Sequence, residues 1–330
     1  MVKKRIAMIT AVAGMCLMLA GCTKGASSGK DIVLKAGFST GASDPRVIST
    51  ELFKEEVEKA TDGRIKIEIY PDSQLGADSD LIKGVVNSEV DITASSAGNF
   101  AVYDTNVGIS AMPFLFDGFD DAWEFVDSDI EVQAEKDLAD YNIKVLGHYD
   151  NGFRCVTTSE SFGPINSVSD MSGLIIRTPE NQIVMETMLL LGAQPKVLPF
   201  NELKDALANG TFDAQENPIP VIYNNNLYEV QKNLAITNHS YDVMLLVIRQ
   251  DVWDSLSKED QKILQDAAKK AQEKDRELIR SQTEEYIDKL EEAGMNITYP
   301  NLDEFKSATS KAFEIFKSSY DADLLEKVRQ

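Results

Sequence analysis

Three neighbouring stretches near the N-terminus decide the fold: Ile32 to Phe38 (IVLKAGF), Glu51 to Ala60 (ELFKEEVEKA) and Arg64 to Tyr70 (RIKIEIY). The third alternates apolar and polar residues with a period of two, which is typical of a strand. The middle stretch has an apolar helical face and ends before Asp62-Gly63. Strand, helix and strand in close succession form a βαβ unit, which predicts an α/β protein whose mainly parallel sheet is covered by helices.

Two later segments repeat one pattern. Residues 81–92 (LIKGVVNSEVDI) and 203–214 (LKDALANGTFDA) align without a gap, and each predicts a helix, a turn and a short strand. The alignment gives Ser95 and Asn217 equivalent positions, each expected just past a strand. In open α/β sheets, ligands bind in the crevice beyond the carboxyl ends of the strands. A chance match over so few residues is the alternative to an internal duplication.

A long helix is predicted near the C-terminus. The chain contains no Gly or Pro from Ser257, an N-cap candidate with Asp260 as its capping partner, to Glu292, which precedes Gly294. At 1.5 Å per residue this helix would be about 50 Å long, which exceeds the diameter of one lobe. We therefore expect it to run along two lobes. Two shorter helices with a break near Lys274 are the alternative.

Composition excludes several classes of protein. The chain has 330 residues, of which 43% are hydrophobic and 26% charged, so it is globular and long enough for two lobes. The formal net charge is -21, from 33 basic and 54 acidic residues. A surface of that charge repels phosphate backbones and anionic headgroups, which excludes nucleic acid as a partner.

The N-terminus predicts export. In residues 1–22, KKR at 3–5 is followed by an uncharged run at 6–20 that is too short to span a membrane, as in a signal peptide. LAGC at 19–22 resembles the lipobox of bacterial lipoproteins, whose cysteine carries the lipid. Residues 23–30 are rich in Gly and Ser and predict a flexible linker. We expect the protein to be exported and anchored by a lipid on Cys22. It would lie on the outer face of the cytoplasmic membrane or in the periplasm. An ordinary signal peptide is the alternative.

Few residues are available for covalent or metal chemistry. Cys16 and Cys22 fall in the signal, so Cys155 is left without a partner and no disulfide is expected. His148 and His239 are far apart and have no Cys or His neighbours at ligand spacing, which indicates structural roles. No G-x-S-x-G motif is present. We expect no metal, no cofactor and no enzymatic activity.

Two arginines are the strongest candidates for a binding site. Arg154 directly follows a strand-like stretch, and Arg177 ends an apolar run at the edge of the expected crevice. A guanidinium offers a carboxylate a planar fork of donors that lysine cannot match. Asn217, before a proline, can both donate and accept, and Phe200 could form a ring wall. Surface salt bridges for the arginines and core packing for Phe200 are the alternatives.

Seven stretches occur in the order typical of one family. They are residues 63–76 (GRIKIEIYPDSQLG), 113–116 (PFLF), 150–154 (DNGFR), 173–180 (GLIIRTPE), 191–193 (LGA), 215–218 (QENP) and 228–232 (YEVQK). From Lys30 to its end the chain resembles the solute-binding proteins of TRAP (tripartite ATP-independent periplasmic) transporters, DctP type. The resemblance implies a two-lobed α/β periplasmic-binding-protein-like fold, with mixed sheets flanked by helices and a long C-terminal helix spanning both lobes. Lobe I would comprise residues 31–151 and about 243–283, and lobe II residues 152–242 and about 284–330.

The same resemblance implies a function. Proteins of this type close on an organic anion and pass it to a TRAP permease in the membrane, and we expect a monomer. In that family the arginine matching Arg177 forms a bidentate salt bridge with the ligand carboxylate, and Arg154 and Asn217 match two further binding positions. The resemblance adds, less directly, six more residues: Ser39, Asp78, Ser95, Ser96, Phe200 and Glu180.

One loop departs from the family pattern. Sugar-acid binders often carry His-Pro where this chain has Asp44-Pro45-Arg46, so Asp44 could accept hydroxyl hydrogens and Arg46 could add positive charge beside Arg177 and Arg154. An aliphatic diacid would leave many hydrogen-bond acceptors of the predicted site without a donor. We therefore expect a sugar acid such as a uronate. The alternatives are a C4-dicarboxylate or other carboxylate, a receptor of an ATP-driven transporter, a secreted enzyme and an adhesion lipoprotein. Replacing Arg154 by Ala is expected to weaken binding and leave the fold intact.

Overall fold

The computed structural model describes residues 31–328. Its strands are β1 (Ile32–Gly37), β2 (Ile65–Tyr70), β3 (Ile92–Ser96), β4 (Ile143–Thr158), β5 (Ile175–Thr178), β6 (Gln194–Val197), β7 (Ala214–Pro218), β8 (Asn233–Arg249) and β9 (Asn296–Thr298). They form one mixed sheet in the order β2-β1-β3-β8-β4-β7-β5-β6, with β9 paired to β8. The predicted signal peptide at 1–22 with Cys22 and the linker at 23–30 lie outside the described residues.

Helices cover the sheet. The α-helices are α1 (Pro45–Ala60), α2 (Asp78–Val86), α3 (Ala97–Phe100), α4 (Phe119–Val126), α5 (Asp129–Ala134), α6 (Gln182–Leu190), α7 (Leu203–Ala208), α8 (Ile219–Asn224), α9 (Gln250–Ser255), α10 (Lys258–Glu292), α11 (Leu302–Thr309), α12 (Ala312–Phe316) and α13 (Ala322–Val328). Short 3-10 helices occur at Thr105–Ala111, Lys136–Tyr141, Val168–Met171, Phe200–Glu202 and Leu227–Glu229. None of the helices described is both long and apolar enough to cross a bilayer.

The predicted βαβ unit is confirmed. Strands β1 and β2 pair in parallel, and α1 joins them. The helix begins at Pro45, six residues before the predicted start at Glu51. The reason is local: the Asp44 carboxylate accepts a hydrogen bond from the Arg46 backbone N–H at 3.0 Å and so caps the helix. Proline suits the first helical position because its missing N–H has no partner there anyway.

Two long antiparallel strands connect the halves of the sheet. Strand β8 pairs with β3 through residues 244–248, whereas β4 pairs with β7 through residues 154–158. The first half of the sheet is therefore β2-β1-β3 and the second half is β7-β5-β6, with β4 and β8 running through both. The β4–β8 register shifts at three places, between Val145/Gly147, Asp150/Gly152 and Arg154/Val156, and such bulges bend and twist a strand. The boundaries predicted between lobes I and II do not match the ends of any one element of the sheet. The division into lobes therefore stays a prediction.

The predicted long helix is confirmed. Helix α10 runs unbroken for 35 residues, so the alternative with a break near Lys274 is wrong. The Ser257 side chain caps it by accepting a hydrogen bond from the Asp260 N–H at 3.0 Å. Leu264 packs in the core under the first half of the sheet, and Leu290 packs in the core of the second half. A single rod thus joins both halves through buried apolar contacts.

The repeated segments form equivalent elements. Strands β3 and β7 each have five residues and begin at Ile92 and Ala214, at the offset of the sequence alignment. Ser95 and Asn217 are the fourth residues of these strands. Their expected location just past each strand is therefore wrong by two residues, although their equivalence holds. Both residues lie near the carboxyl ends of their strands, where the cleft described next opens.

Candidate ligand-binding site

Two contiguous cavities lie at the junction of the two halves of the sheet. The inner cavity, of about 50 Å³, and the outer cavity, of about 200 Å³, share a wall that includes Arg177 and Phe200. The inner cavity is lined by Ser39, Arg46, Asp78, Ser96, Asn99, Asn151, Arg154, Arg177, Pro179, Phe200, Asn217, Val221, Asp242 and Met244. Nine of the eleven predicted binding residues line one or both cavities; Ser95 and Asp44 do not.

Arg177 is buried but has no acidic partner. It is the third residue of β5 and is 3% exposed. Its Nε donates to the Leu198 carbonyl oxygen at 2.8 Å, and within residues 31–328 this side chain makes no other hydrogen bond and no salt bridge. Burial lowers the pKa of Arg177 to about 10, and the nearby positive charge of Arg154 acts in the same direction. At neutral pH the guanidinium is still charged, and its two terminal nitrogens are open to a ligand.

Arg154, in contrast, is already paired inside the protein. It lies within β4, not just after a strand as expected, and its guanidinium bonds to the Glu216 and Asp242 carboxylates. Its Nη2 also donates to Glu216 Oε1 at 2.9 Å and to Asn217 Oδ1 at 3.2 Å. Burial opposes the charged form, but these two carboxylates hold the pKa of Arg154 above its usual value. The charge of Arg154 is thus compensated before any ligand arrives.

Arg46 and Asp44 form a second internal pair. The Arg46 Nε lies 2.9 Å from Asp44 Oδ1, and Nη2 lies 3.1 Å from Oδ2. Both residues are buried, and Arg46 lines the inner cavity whereas Asp44 does not. Burial opposes ionisation, but the Asp44 carboxylate holds the pKa of Arg46 above its usual value. The sequence predicted positive charge in the cleft from all three arginines. In the structure, Arg177 is the one arginine of the inner cavity whose charge has no acidic partner among the described residues.

A polar network fixes the floor of the inner cavity. Asp242 on β8 accepts from the Ser96 hydroxyl at 2.5 Å and from Asn151 Nδ2 at 2.8 Å, besides pairing with Arg154. Asn217 donates from Nδ2 to Gln215 Oε1 at 2.5 Å. These bonds link strands of both halves of the sheet, so the floor is rigid where the halves meet.

The first half of the sheet contributes polar groups that lack partners. The Ser39 hydroxyl and Asn99 Oδ1 are both buried and have no hydrogen-bond partner among the atoms described. Asp78 Oδ1 accepts from the Ser95 hydroxyl at 3.1 Å, so Ser95 holds Asp78 in place without facing the cavity. An unpaired buried polar group costs free energy, and hydroxyls of a ligand would remove that cost.

The outer cavity is more apolar. Phe200 also lines a third cavity, which it shares with Ser39. The walls of the outer cavity include Ile82, Tyr103 and Val197, and the exposed Glu180 lies at its rim. This cavity could receive the less polar part of a ligand whose carboxylate reaches Arg177.

Four polar residues of the site were missed from the sequence. Asn151 and Glu216 lie inside stretches already noted for their family pattern, so a signal was present for both. Asn99 and Asp242 carry no comparable signal, because neither belongs to such a stretch. Their contribution depends on where α3 packs against β8 and where β8 pairs with β4, which is a property of the folded sheet.

Both histidines are held inside the fold. His239 is fully buried, with Nδ1 at 2.8 Å from the Thr237 hydroxyl and Nε2 at 3.4 Å from Glu216 Oε2. Burial lowers the pKa of His239. His148 Nε2 lies 2.6 Å from Glu135 Oε1. In residues 31–328 no group of three His, Cys, Asp or Glu side chains is arranged to hold a metal ion.

Comparison with known proteins identifies the family of this chain. The family model described as bacterial extracellular solute-binding protein, family 7 (DctP) matches residues 36–319. The chain is 33% identical over 264 residues, 80% of each chain, to the 2,3-diketo-L-gulonate-binding periplasmic protein YiaO of Escherichia coli K12.

Solved structures share the fold over nearly the whole chain. A TRAP periplasmic solute-binding protein from Polaromonas sp. JS666, bound to D-erythronate, has a TM-score of 0.86 and 32% identity, covering 90% of this chain and 98% of its own. One from Haemophilus influenzae with bound L-gulonate has a TM-score of 0.85 and 29% identity, covering 90% and 99%. These relatives are two-lobed proteins with a long C-terminal helix, which confirms the predicted fold class. The chain belongs to the bacterial extracellular solute-binding proteins of family 7, the DctP family, which are substrate-binding receptors of TRAP transporters and not enzymes.

Proposed function

We propose that this receptor captures a sugar acid in the cleft around Arg177, closes on it and delivers it to a TRAP permease. One observation carries the proposal: within residues 31–328, Arg177 is buried without an acidic partner, whereas Arg46 has one and Arg154 has two. A buried unpaired charge is costly in a folded protein. A ligand carboxylate supplies the missing partner, and the planar fork of the guanidinium favours two parallel hydrogen bonds.

Closure of the cleft would strengthen this pair. Two opposite charges attract more strongly when water is removed from around them, because the effective dielectric constant falls. In this proposal the ligand carboxylate lies against Arg177 between the inner and outer cavities. Arg154 and Asn217 then act chiefly by holding the cavity floor, and each can still contact the ligand from the inner cavity that both line.

Unpaired oxygens support a polyhydroxy ligand. Among the described residues, Ser39 Oγ and Asn99 Oδ1 have no partner, and Asp78 and Glu180 have accepting capacity left at the cavity walls. Hydroxyl groups would satisfy them, while an aliphatic diacid would leave them unpaired. A second carboxylate would also find no unpaired arginine in the inner cavity. The Polaromonas and Haemophilus relatives hold D-erythronate and L-gulonate, which are acids of this kind.

The same proposal includes the cell envelope. We propose that residues 1–22 direct export, that Cys22 carries the lipid anchor, and that the receptor works as a monomer with one ligand per chain. Family membership supports export, since its members are extracellular binding proteins. Incorporation of labelled fatty acid by the full chain and its loss in Cys22→Ala would test the anchor. Soluble, unlabelled protein from the unaltered chain would contradict it.

Ligand binding is tested by calorimetry of the purified protein against uronates, aldonates, sialic acid, C4-dicarboxylates and 2-oxo acids. We expect tight binding of one sugar acid, and a loss of at least 100-fold in Arg177→Lys, which keeps the charge but loses the fork. Arg276→Lys is the matched control, because Arg276 also pairs with a carboxylate, that of the exposed Asp127, and lines neither cavity. Equal affinity of Arg177→Lys and the parent would overturn the role of Arg177. Preference for a diacid would overturn the ligand class.

A further inference from the structure

The two halves of the molecule touch closely at a glycine. Gly98 lies in α3, directly after β3 of the first half, and it faces Asn181, the N-cap residue of α6 after β5 of the second half. A Cβ built on Gly98 would lie 2.5 Å from Asn181 Cγ and closer still to Nδ2. No real Cβ tolerates such a distance, so a side chain at position 98 requires either the Asn181 side chain or one of the two helices to shift.

Asn181 cannot move aside at low cost. It is 2% exposed, and its Oδ1 accepts hydrogen bonds from the backbone N–H groups of Ile183 at 2.9 Å and Val184 at 3.2 Å. These bonds cap α6, and losing such a cap costs about 1 kcal/mol. A second close approach lies beside the first: a Cβ on Gly108 would be 3.2 Å from Ile183 Cδ1.

The contact borders the cleft. Asn99, next to Gly98, lines both cavities, and Pro179 and Glu180, just before Asn181, line the outer one. Arg177 is the third residue of β5, four residues before Asn181, so the connection from β5 to α6 begins beside it. The distance between α3 and α6 therefore determines how closely Asn99 on one side of the cleft approaches Arg177 on the other side.

We infer that Gly98 is a positioning residue for closure: its bare Cα lets the N-terminus of α6 pack against α3, and this contact seals one edge of the cleft over the bound acid. The inference rests on the proposed binding function. A side chain at position 98 leaves each half intact but penalises the closed form. Since the ligand binds the closed form, its apparent affinity falls by the factor by which that form is depopulated.

Calorimetry and thermal unfolding of four variants test this. Gly98→Ala is expected to bind the acid at least tenfold more weakly than the parent, equal to about 1.4 kcal/mol. The ligand-free melting temperature should stay close to that of the parent. Gly118→Ala is the matched control, because its backbone is extended and a Cβ there meets nothing within 4 Å. In the double variant Gly98→Ala/Asn181→Gly the clash is removed, and glycine at the N-cap of α6 costs little stability. The affinity for the acid should therefore recover relative to Gly98→Ala. Asn181→Gly alone measures the cost of losing the cap.

Two results would overturn the inference. One is parental affinity in Gly98→Ala. The other is a large loss of ligand-free stability in Gly98→Ala with no recovery in the double variant, which would make the contact ordinary packing. If no acid binds the parent, the binding function fails instead, and a Gly98→Cys/Asn181→Cys pair decides the contact without ligand. An internal disulfide on oxidation supports the approach of α3 to α6, and its absence overturns it. Cys155 is buried and its pKa is raised to about 11, so it does not compete.

Discussion

Arg154 is the residue whose role depends most on its surroundings. It is the cation of a buried cluster with Glu216 and Asp242, and removing one partner of such a cluster leaves uncompensated charge in the interior. Arg154→Ala is therefore expected to destabilise the protein by about 3–5 kcal/mol, measured by urea unfolding of the ligand-free form. This differs from the sequence-based expectation that the fold would remain intact.

A compensated variant separates charge from packing. Arg154→Met combined with Glu216→Gln and Asp242→Asn removes the cation and both anions together and keeps most of the volume. It should be more stable than Arg154→Ala, since no unpaired charge is left behind. Stability of Arg154→Ala close to that of the parent, with weakened ligand binding, would show that the arginine serves the ligand and not the fold.

At the scale of elements, the junction of α10 and β4 contains two buried carboxylates. The Asp150 N–H donates to Asp275 Oδ2 at 2.6 Å, while the Asp150 side chain accepts from Trp123 Nε1 at 2.8 Å and from the Gly152 N–H at 2.7 Å. Burial outweighs these bonds and raises the pKa of Asp150 to about 6. Burial also raises the pKa of Asp275, and its Oδ1 has no partner among the atoms described.

This junction predicts a pH dependence of stability. The pKa of Asp150 is higher in the folded than in the unfolded chain, so its contribution is fully present below about pH 4 and is lost as pH rises through about 6. The difference of roughly two pKa units corresponds to about 2–3 kcal/mol. The free energy of unfolding of Asp150→Asn should therefore fall less than that of the parent between pH 4 and 7. The comparison uses the change of the free energy of unfolding with pH and not its absolute value. The reason is that the asparagine side chain keeps only one of the two oxygen acceptors of Asp150.

Asp127→Asn is the control of opposite sign. Asp127 lies on the surface, and although burial by itself would raise its pKa, the bonds from Arg276 hold the pKa of this carboxyl below its usual value. Its contribution is therefore present above the unfolded pKa and is lost as pH falls. Identical slopes in the parent and Asp150→Asn would show that the Asp150 carboxylate is solvated in solution and does not couple α10 to β4.

At the scale of the whole molecule, charge opposes capture of an anion. The chain carries -21, and loss of the three basic residues at 3–5 with the signal peptide would make it -24. Repulsion of an approaching acid is screened by salt, whose Debye length falls from about 30 Å at 0.01 M to about 8 Å at 0.15 M. We expect the association rate of the ligand to rise about two- to tenfold over this range, measured by stopped-flow fluorescence.

The neutral lactone or amide of the same acid provides a comparison without charge. Its association rate should not change over the same range of salt, which separates screening from any effect of salt on the protein. An association rate that falls with salt would mean that the positive field of Arg177 inside the cleft dominates the field of the whole surface.

Sequence and structure agree most closely where the determinants are local. The period of two in β2, the cap of α10 at Ser257 and the unbroken helical run after it all act within a few residues, so each was predicted correctly. The start of α1 was placed too late because the Asp44-Pro45 cap was not recognised as one. Arg154 was placed after a strand because glycines at 147 and 152, which serve bulges in β4, look like the end of a strand in sequence.

By itself, the sequence determined the α/β class, the long helix and the family, since periodicity, capping and motif order are properties of the linear chain. Only the tertiary structure decided which arginine is open to a ligand. Arg154 meets Glu216 and Asp242 across 62 and 88 residues, and Gly98 meets Asn181 across another long interval. Charge compensation and close approach depend on distances in space, and these exist only once β4, β7 and β8 have formed one sheet.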